Sequence, residues 1–211
     1  MTTQRKAPTI QRHAATKEAS LMPRQRTANA STTADATRPV TLGARALAVL
    51  RVAIGFTFLW AFLDKTFGLG YATTSERAWL NGGSPTYGFL SNVSVGPFES
   101  MFNSWAGAAW ADWLFMLGLL GIGVAVIAGV ALRIAAISGT IMMLLMWAAE
   151  WPLARTLSTG EPSMSTNPLV DYHIIYALVL IALAVTHAGN TWGFGRVWAK
   201  LPVVRETAWL R

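Results

Sequence analysis

The chain contains no cysteine and few charged residues. Without cysteine it can form no disulfide, zinc–thiolate site, iron–sulfur cluster or catalytic thiol. Charged residues make up 13% of its 211 residues, about half the usual share, which is too few to cover a soluble surface. Apolar residues make up 53%, including ten Trp, and this excludes a disordered chain. The composition therefore predicts an integral membrane protein.

The formal net charge of +7 belongs to the N-terminal part of the chain. Residues 1–51 hold nine Lys or Arg and two acids, whereas residues 52–211 hold eight of each. Residues 1–40 have no sustained apolar period, which predicts a disordered basic tail. A nucleic-acid-binding segment would need stacking aromatic residues among its basic ones, and the first aromatic residue is Phe56. We therefore expect no nucleic-acid partner, and instead a cytoplasmic leader beside anionic lipid.

Four long runs of weakly charged sequence predict four membrane-spanning helices. The predicted fold is an all-α transmembrane four-helix bundle over residues 41–200, followed by a C-terminal tail, 201–211. Arg51 lies low in the first span, where we expect it to extend to the cytoplasmic interface. Four small residues predict that one side of the second span makes close helix contact: Gly118, Gly121, Ala125 and Gly129. The predicted spans are about 41–63, 110–132, 134–152 and 169–188.

The distribution of charge predicts the orientation of these spans. The segments 64–112 and 150–171 each carry a net charge of −2, whereas the N-terminal tail, Arg133 and the C-terminal tail are positive. By the positive-inside rule both termini are cytoplasmic, which predicts a multi-pass membrane protein. The long outer segment 64–112 is interrupted by Gly and Pro and rich in aromatic residues, and it predicts short interfacial helices.

Several ionisable and aromatic residues are expected near the outer leaflet. Glu150 follows sixteen uncharged residues, which places it roughly 25 Å above Arg133 at a rise of about 1.5 Å per residue. These side chains either anchor the helices at the interface, with Lys65 pairing with a carboxylate, or form a shared pocket. Such a pocket would stack a planar ring on its aromatic residues and exchange protons with it, as a quinone headgroup requires. The candidate pocket comprises Asp64, Lys65, Trp147, Glu150, Trp151, Asp171, Tyr172 and His173.

Neither haem nor a metal ion is predicted. His187 lies at the opposite, cytoplasmic end of the fourth span, fourteen residues after His173, so the two histidines cannot ligate one haem. Only one histidine lies near the acids of the outer leaflet, which is a weak basis for a metal site. Which residues, if any, are catalytic stays open.

Several stretches give the chain a resemblance to a known family. It resembles the DoxX family of small bacterial membrane proteins, and within it the DoxD-type small subunits of thiosulfate:quinone oxidoreductase of the actinobacterial type. The resemblance covers residues 46–200. The stretches that carry it are Leu50-Arg51-Val52-Ala53-Ile54-Gly55-Phe56, Phe62-Leu63-Asp64-Lys65, Trp79-Leu80-Asn81-Gly82, residues 129–134, Met146-Trp147-Ala148-Ala149-Glu150-Trp151-Pro152 and Asn167-Pro168-Leu169-Val170-Asp171-Tyr172-His173.

The resemblance implies a membrane subunit that interacts with quinone in a redox complex of the bacterial cytoplasmic membrane. With the depth argument, it favours proton transfer by Glu150 or Asp171 with His173, and stabilisation of a reduced oxyanion by Lys65. The alternative is a non-catalytic membrane anchor or assembly factor for partner oxidoreductases, and whether the chain is an enzyme stays open. The expected partners are the lipid bilayer and other redox or respiratory membrane subunits. A transporter is disfavoured because the middle of every span is apolar.

Overall fold

The computed structural model describes residues 40–210, and from residue 42 onward these form one compact unit. The predicted disordered basic tail, residues 1–40, therefore lies outside the described residues except at its last position.

Helices account for the regular structure of residues 40–210, and that range contains no strand. Short 3₁₀ turns occur at Ser75–Arg77, Trp79–Asn81, Ala188–Asn190 and Ala208–Leu210. The α-helices of this range are α1 (Leu42–Phe67), α2 (Tyr87–Leu90), α3 (Glu99–Trp105), α4 (Ala109–Ala128), α5 (Leu132–Glu150), α6 (Tyr172–Val185), α7 (Gly195–Trp198) and α8 (Pro202–Glu206).

Three helices, α1, α4 and α5, are long and apolar enough to cross a membrane. The fourth predicted span corresponds to α6, which is apolar but has 14 residues and therefore spans roughly 21 Å. Its outward side is apolar as well, because Ile175, Leu178, Ile181 and Val185 are 41–66% exposed. Exposed apolar faces of this kind are typical of helices surrounded by lipid.

The long helices pack in two main pairs, α1 with α4 and α5 with α6, and smaller contacts join α4 to α5 and α1 to α6. The shared core includes Met116 and Val126 of α4 and Leu180 and Leu183 of α6, all nearly fully buried. Gly129, in the left-handed conformation at φ 72°, ends α4, so that α5 begins three residues later as its antiparallel neighbour.

The two ends of this packed unit differ. At one end, called the turn end, Gly129 to Ala131 join α4 to α5, and the chain continues from α6 into α7 and α8. At the other end, called the loop end, residues 68–108 join α1 to α4 and residues 151–171 join α5 to α6. Every candidate pocket residue lies at the loop end.

Arg51 lies at the turn end but does not extend to the surface as expected. Its side chain is fully buried and donates from Nη1 to the carbonyl oxygens of Val126, at 2.8 Å, and Ile127. Its Nη2 donates to the carbonyl oxygen of Trp192 at 2.9 Å. The last carbonyls of a helix have no partner within that helix, and Arg51 supplies donors to those of α4.

Two buried carboxylates fix the first long loop to the helices. Asp64 of α1 accepts hydrogen bonds from the backbone N–H groups of Tyr71, at 3.3 Å, and Ala72, at 3.0 Å. Asp112 of α4 accepts from the backbone N–H of Thr86, at 2.9 Å, and from its hydroxyl, at 2.6 Å. Both carboxylates are therefore used in positioning residues 71–86.

The segment predicted to be a C-terminal tail is folded in part. It contains α8, in which Val204 is buried. Trp198 Nε1 donates to the carbonyl oxygen of Leu210 at 2.9 Å, and Arg133 Nη1 donates to that of Trp209 at 3.2 Å. Residues 202–210 therefore pack back against the turn end.

Candidate functional site

Four of the eight candidate residues meet at the loop end in an acid–histidine cluster, defined as Glu150, Asp171, Tyr172 and His173. His173 Nδ1 lies 2.9 Å from Asp171 Oδ2 and 3.8 Å from Glu150 Oε2. The Tyr172 hydroxyl donates to Glu150 Oε1 at 2.8 Å. These contacts join the polar candidates of the third and fourth predicted spans, whereas Asp64 and Lys65 of the first span are not part of them.

Local sequence explains why these groups meet. Asp171 is the N-cap of α6, and its Oδ1 accepts from the backbone N–H groups of His173, at 3.0 Å, and Ile174, at 3.2 Å. Glu150 is the last residue of α5, because Trp151 adopts φ 42° and Pro152 follows it. The end of α5 therefore lies beside the start of α6, where Glu150 is bonded through Oε1 and Asp171 through both of its oxygens.

Burial differs across the cluster. His173 is fully buried, and its Nε2 has no hydrogen-bond partner in the described residues. The side chain of Glu150 is 36% exposed and that of Asp171 is 16% exposed. The carboxylates therefore form the accessible side of the site, and the imidazole forms its floor.

The two tryptophans of the candidate pocket lie beside the cluster. Their ring centroids are 5.8 Å apart, and Trp147 Nε1 is buried without a hydrogen-bond partner among the described residues. Trp151 packs against Gly96 of the first loop, where a side chain's Cβ would lie 2.9 Å from the indole ring. Gly96 also has φ 104°, so both the close approach and the backbone conformation require glycine.

Lys65 is not part of the acid–histidine cluster. No carboxylate of residues 40–210 lies within 4.0 Å of its Nζ, so the Lys65–carboxylate pair considered above is absent from this part of the chain. Its Nζ lies instead 5.9 Å from the ring centroid of Phe115. Asp64, the neighbouring candidate, turns to the backbone of residues 71 and 72.

Lys65 lines a second site, called here the loop-end cavity, with a volume of about 390 Å³. Its wall is formed by α4 and α5, by the short helices α2 and α3, and by Lys65 of α1. Among the described residues that line it, Lys65 is the one charged side chain. The main lining residues are Phe89, Phe102, Trp105, Trp110, Leu114, Phe115, Gly118, Ser138, Ile141, Met142, Leu145 and Met146.

Aromatic residues line part of the cavity, and exposed apolar residues of α4 and α5 line another part. Trp105 stacks edge-on against Trp110, with centroids 5.3 Å apart. Leu114, Ile141 and Leu145 line the cavity and are also 44–67% exposed on the outer faces of their helices. A ligand could therefore enter along the surface of the helices.

Most lining residues of the cavity were not among the predicted site residues. A sequence signal existed for Trp105 and Trp110, which end an aromatic loop and begin a predicted span. No such signal existed for Ser138 and Met142, which are indistinguishable from other positions of an apolar helix. Their role depends on which face α5 turns toward α4.

Comparisons with known proteins do not identify the family or the function of the chain. No family model, curated protein or solved structure matches the chain.

Proposed function

We propose that this protein is a quinone-binding membrane subunit of a bacterial redox complex, of the DoxX type, and that the quinone occupies the loop-end cavity. The observation that carries the proposal is an aromatic cavity of about 390 Å³ with one lysine in its wall. Small-molecule sites in proteins are mostly apolar cavities of this size with a few placed polar groups.

The lining suits the two parts of a quinone. Its planar headgroup would stack against Trp105, Trp110 or Phe115, and aromatic pairs of this kind are favourable beyond their buried area. Its isoprenoid tail would leave through the opening beside Leu114 and Ile141, whose exposed faces suit a surrounding of lipid.

Lys65 supplies the polar contact. No hydrogen bond joins its Nζ to another described residue, whereas two hydroxyls of the wall are already bonded: Ser138 Oγ donates to Ile134 O at 2.9 Å, and Thr86 Oγ1 donates to Asp112 Oδ1 at 2.6 Å. In the proposed complex Nζ donates to a quinone carbonyl oxygen, and this contact strengthens as reduction places negative charge on that oxygen. Electrons would come from a partner subunit, because the chain has no cysteine to form a thiol relay.

The proposed topology has four crossings, with both termini in the cytoplasm and the loop end at the outer leaflet of the bacterial cytoplasmic membrane. Three helices are long and apolar enough to cross a membrane, and the exposed apolar face of α6 supports a fourth crossing. The charge pattern supports the orientation, because both long loops are negative and both ends of the sequence are positive.

Quinone binding can be measured through the tryptophans of the cavity. Decylubiquinone or a short-chain menaquinone, titrated into the full chain in lipid nanodiscs, is expected to quench Trp emission saturably. Lys65→Gln is expected to weaken binding roughly 10-fold or more, since a hydrogen bond from a charged group contributes about 1.5–3 kcal/mol. Ser138→Phe is expected to abolish binding by filling the cavity.

Each variant has a matched control. Lys200→Gln removes an exposed lysine near the turn end, and Ile137→Phe adds the same ring at an exposed position of α5 that does not line the cavity. Both are expected to bind quinone like the unchanged chain. Absence of saturable quenching would contradict the proposal. So would an affinity of Lys65→Gln and Ser138→Phe equal to that of the unchanged chain. Co-purification of stoichiometric partners without quinone would then favour the anchor or assembly factor.

A further inference from the structure

The acid–histidine cluster presents three donor atoms to one point. Glu150 Oε1 accepts from the Tyr172 hydroxyl, and Asp171 Oδ1 accepts from the backbone at the start of α6. The other two oxygens face His173 Nδ1, with which Asp171 Oδ2 shares a hydrogen bond of 2.9 Å. One ligand atom from each of the three residues lies within 4.8 Å of the others, and a bound ion would take the place of that hydrogen. Binding of a single ion requires shifts of less than about 1 Å, because donor atoms around a metal ion at about 2.0–2.2 Å lie roughly 3 Å apart.

The carboxylates of the cluster have no Lys or Arg partner in the described residues. Among residues 40–210 no Lys or Arg nitrogen lies within 4.0 Å of either carboxylate, and His173 is the partner of both. A bound cation would supply the positive charge that neither carboxylate obtains from a Lys or Arg.

We propose that Glu150, Asp171 and His173 bind one divalent transition-metal ion at the loop end. Two carboxylates and a neutral imidazole suit zinc and its neighbours, and the ion would neutralise both carboxylates. The Tyr172 hydroxyl and the backbone N–H groups that hold the carboxylates act as the outer contacts that orient metal ligands. The partly exposed carboxylates leave the remaining coordination positions open to water.

The spacing of the sequence alone did not predict this site, because only one histidine lies near the acids. Folding supplies the missing ligand from another helix: Glu150 ends α5, and Asp171 and His173 begin α6 after a loop of 20 residues. The proposal does not depend on quinone binding, since none of its three ligands lines the loop-end cavity.

The test uses the full chain in nanodiscs after treatment with a chelator. Titration with Zn²⁺ against a chromophoric chelator is expected to give one tight site per chain. Glu150→Gln keeps an acceptor for Tyr172, and Asp171→Asn keeps a helix cap. Each is expected to weaken Zn²⁺ binding at least 10-fold. Glu161→Gln, an exposed acid of the same loop that lies outside the cluster, is expected to bind Zn²⁺ like the unchanged chain.

A spectroscopic measurement on the unchanged chain covers the case in which a variant does not fold. One equivalent of Cu²⁺ is expected to show coupling to a single imidazole nitrogen in electron spin echo experiments. Absence of stoichiometric Zn²⁺ binding, unchanged affinity in folded Glu150→Gln and Asp171→Asn, or a Cu²⁺ signal without imidazole coupling would each overturn the proposal.

Discussion

Arg51 is a buried cation whose Nη1 and Nη2 groups donate to backbone carbonyls. It joins the end of α4 to residues 191 and 192, and no carboxylate of residues 40–210 lies within 4.0 Å of it. Its function is therefore to donate hydrogen bonds to backbone carbonyls at the turn end, because buried carbonyls without a partner are costly.

Replacing Arg51 is expected to destabilise the protein strongly. Arg51→Met removes every donor and leaves at least three carbonyls unpaired, with an expected loss of roughly 3 kcal/mol or more of unfolding free energy. Thermal unfolding in detergent, followed by Trp fluorescence, measures the effect. Arg45→Met is the control, because Arg45 is an exposed arginine of the same helix. Equal midpoints for the two variants would contradict the structural role given to Arg51.

The candidate pocket shows that sequence position determines how deep a residue lies along its helix, but not which neighbouring helix it faces. Depth along a helix follows from a rise of about 1.5 Å per residue, and Lys65 and Glu150 both lie at the loop end as that rise predicts. Direction around the axis depends on which helices are neighbours. Because α1 packs mainly on α4 and α5 on α6, Lys65 faces α4 and Glu150 faces α6. The sequence contains no signal for that pairing.

At the scale of helices, the long uncharged runs were sufficient to locate α1, α4 and α5. The side of each helix that packs against its neighbour was not predicted. The expected small-residue side of α4 included Gly121, yet a Cβ at Gly121 would meet nothing within 4 Å. The close approach of α1 to α4 occurs at Gly123 instead, where a Cβ would lie 2.7 Å from the backbone nitrogen of Leu59.

Two alanine substitutions on α4 separate these positions. Gly123→Ala is expected to force α1 and α4 apart, with a loss of about 1–3 kcal/mol in unfolding free energy. Gly121→Ala adds the same methyl group at an open position and is expected to leave stability unchanged or raise it slightly, because alanine favours helix. Thermal midpoints of the two purified proteins provide the measurement. A lower midpoint for Gly121→Ala than for Gly123→Ala would show that the packing face is assigned wrongly.

For the whole molecule, the number of crossings determines where the C-terminal residues lie. Four crossings place residues 158 and 207 on opposite sides of the membrane, whereas three crossings, without α6, place both outside. The absence of native cysteine allows single-cysteine labelling without background.

Intact cells treated with a membrane-impermeant maleimide distinguish these arrangements. Ser158→Cys, exposed in the second long loop, is expected to react in intact cells. Thr207→Cys, exposed at the turn end, is expected to react only after permeabilisation. Labelling of both in intact cells would mean three crossings, and labelling of Thr207→Cys alone would mean the reverse orientation.

The contacts of Arg51 also set an order of assembly. Ribosomes make the chain from its N-terminus, and Arg51 emerges 75 residues before Val126 and 141 residues before Trp192. A charged side chain without partners is costly in hydrocarbon. In a membrane, we expect the N-terminal end of α1 to remain near the aqueous boundary until α4 has been made. Residues 191 and 192 follow the turn Ala188–Asn190 and complete the arrangement, so a segment made late in synthesis closes the structure around a residue of α1.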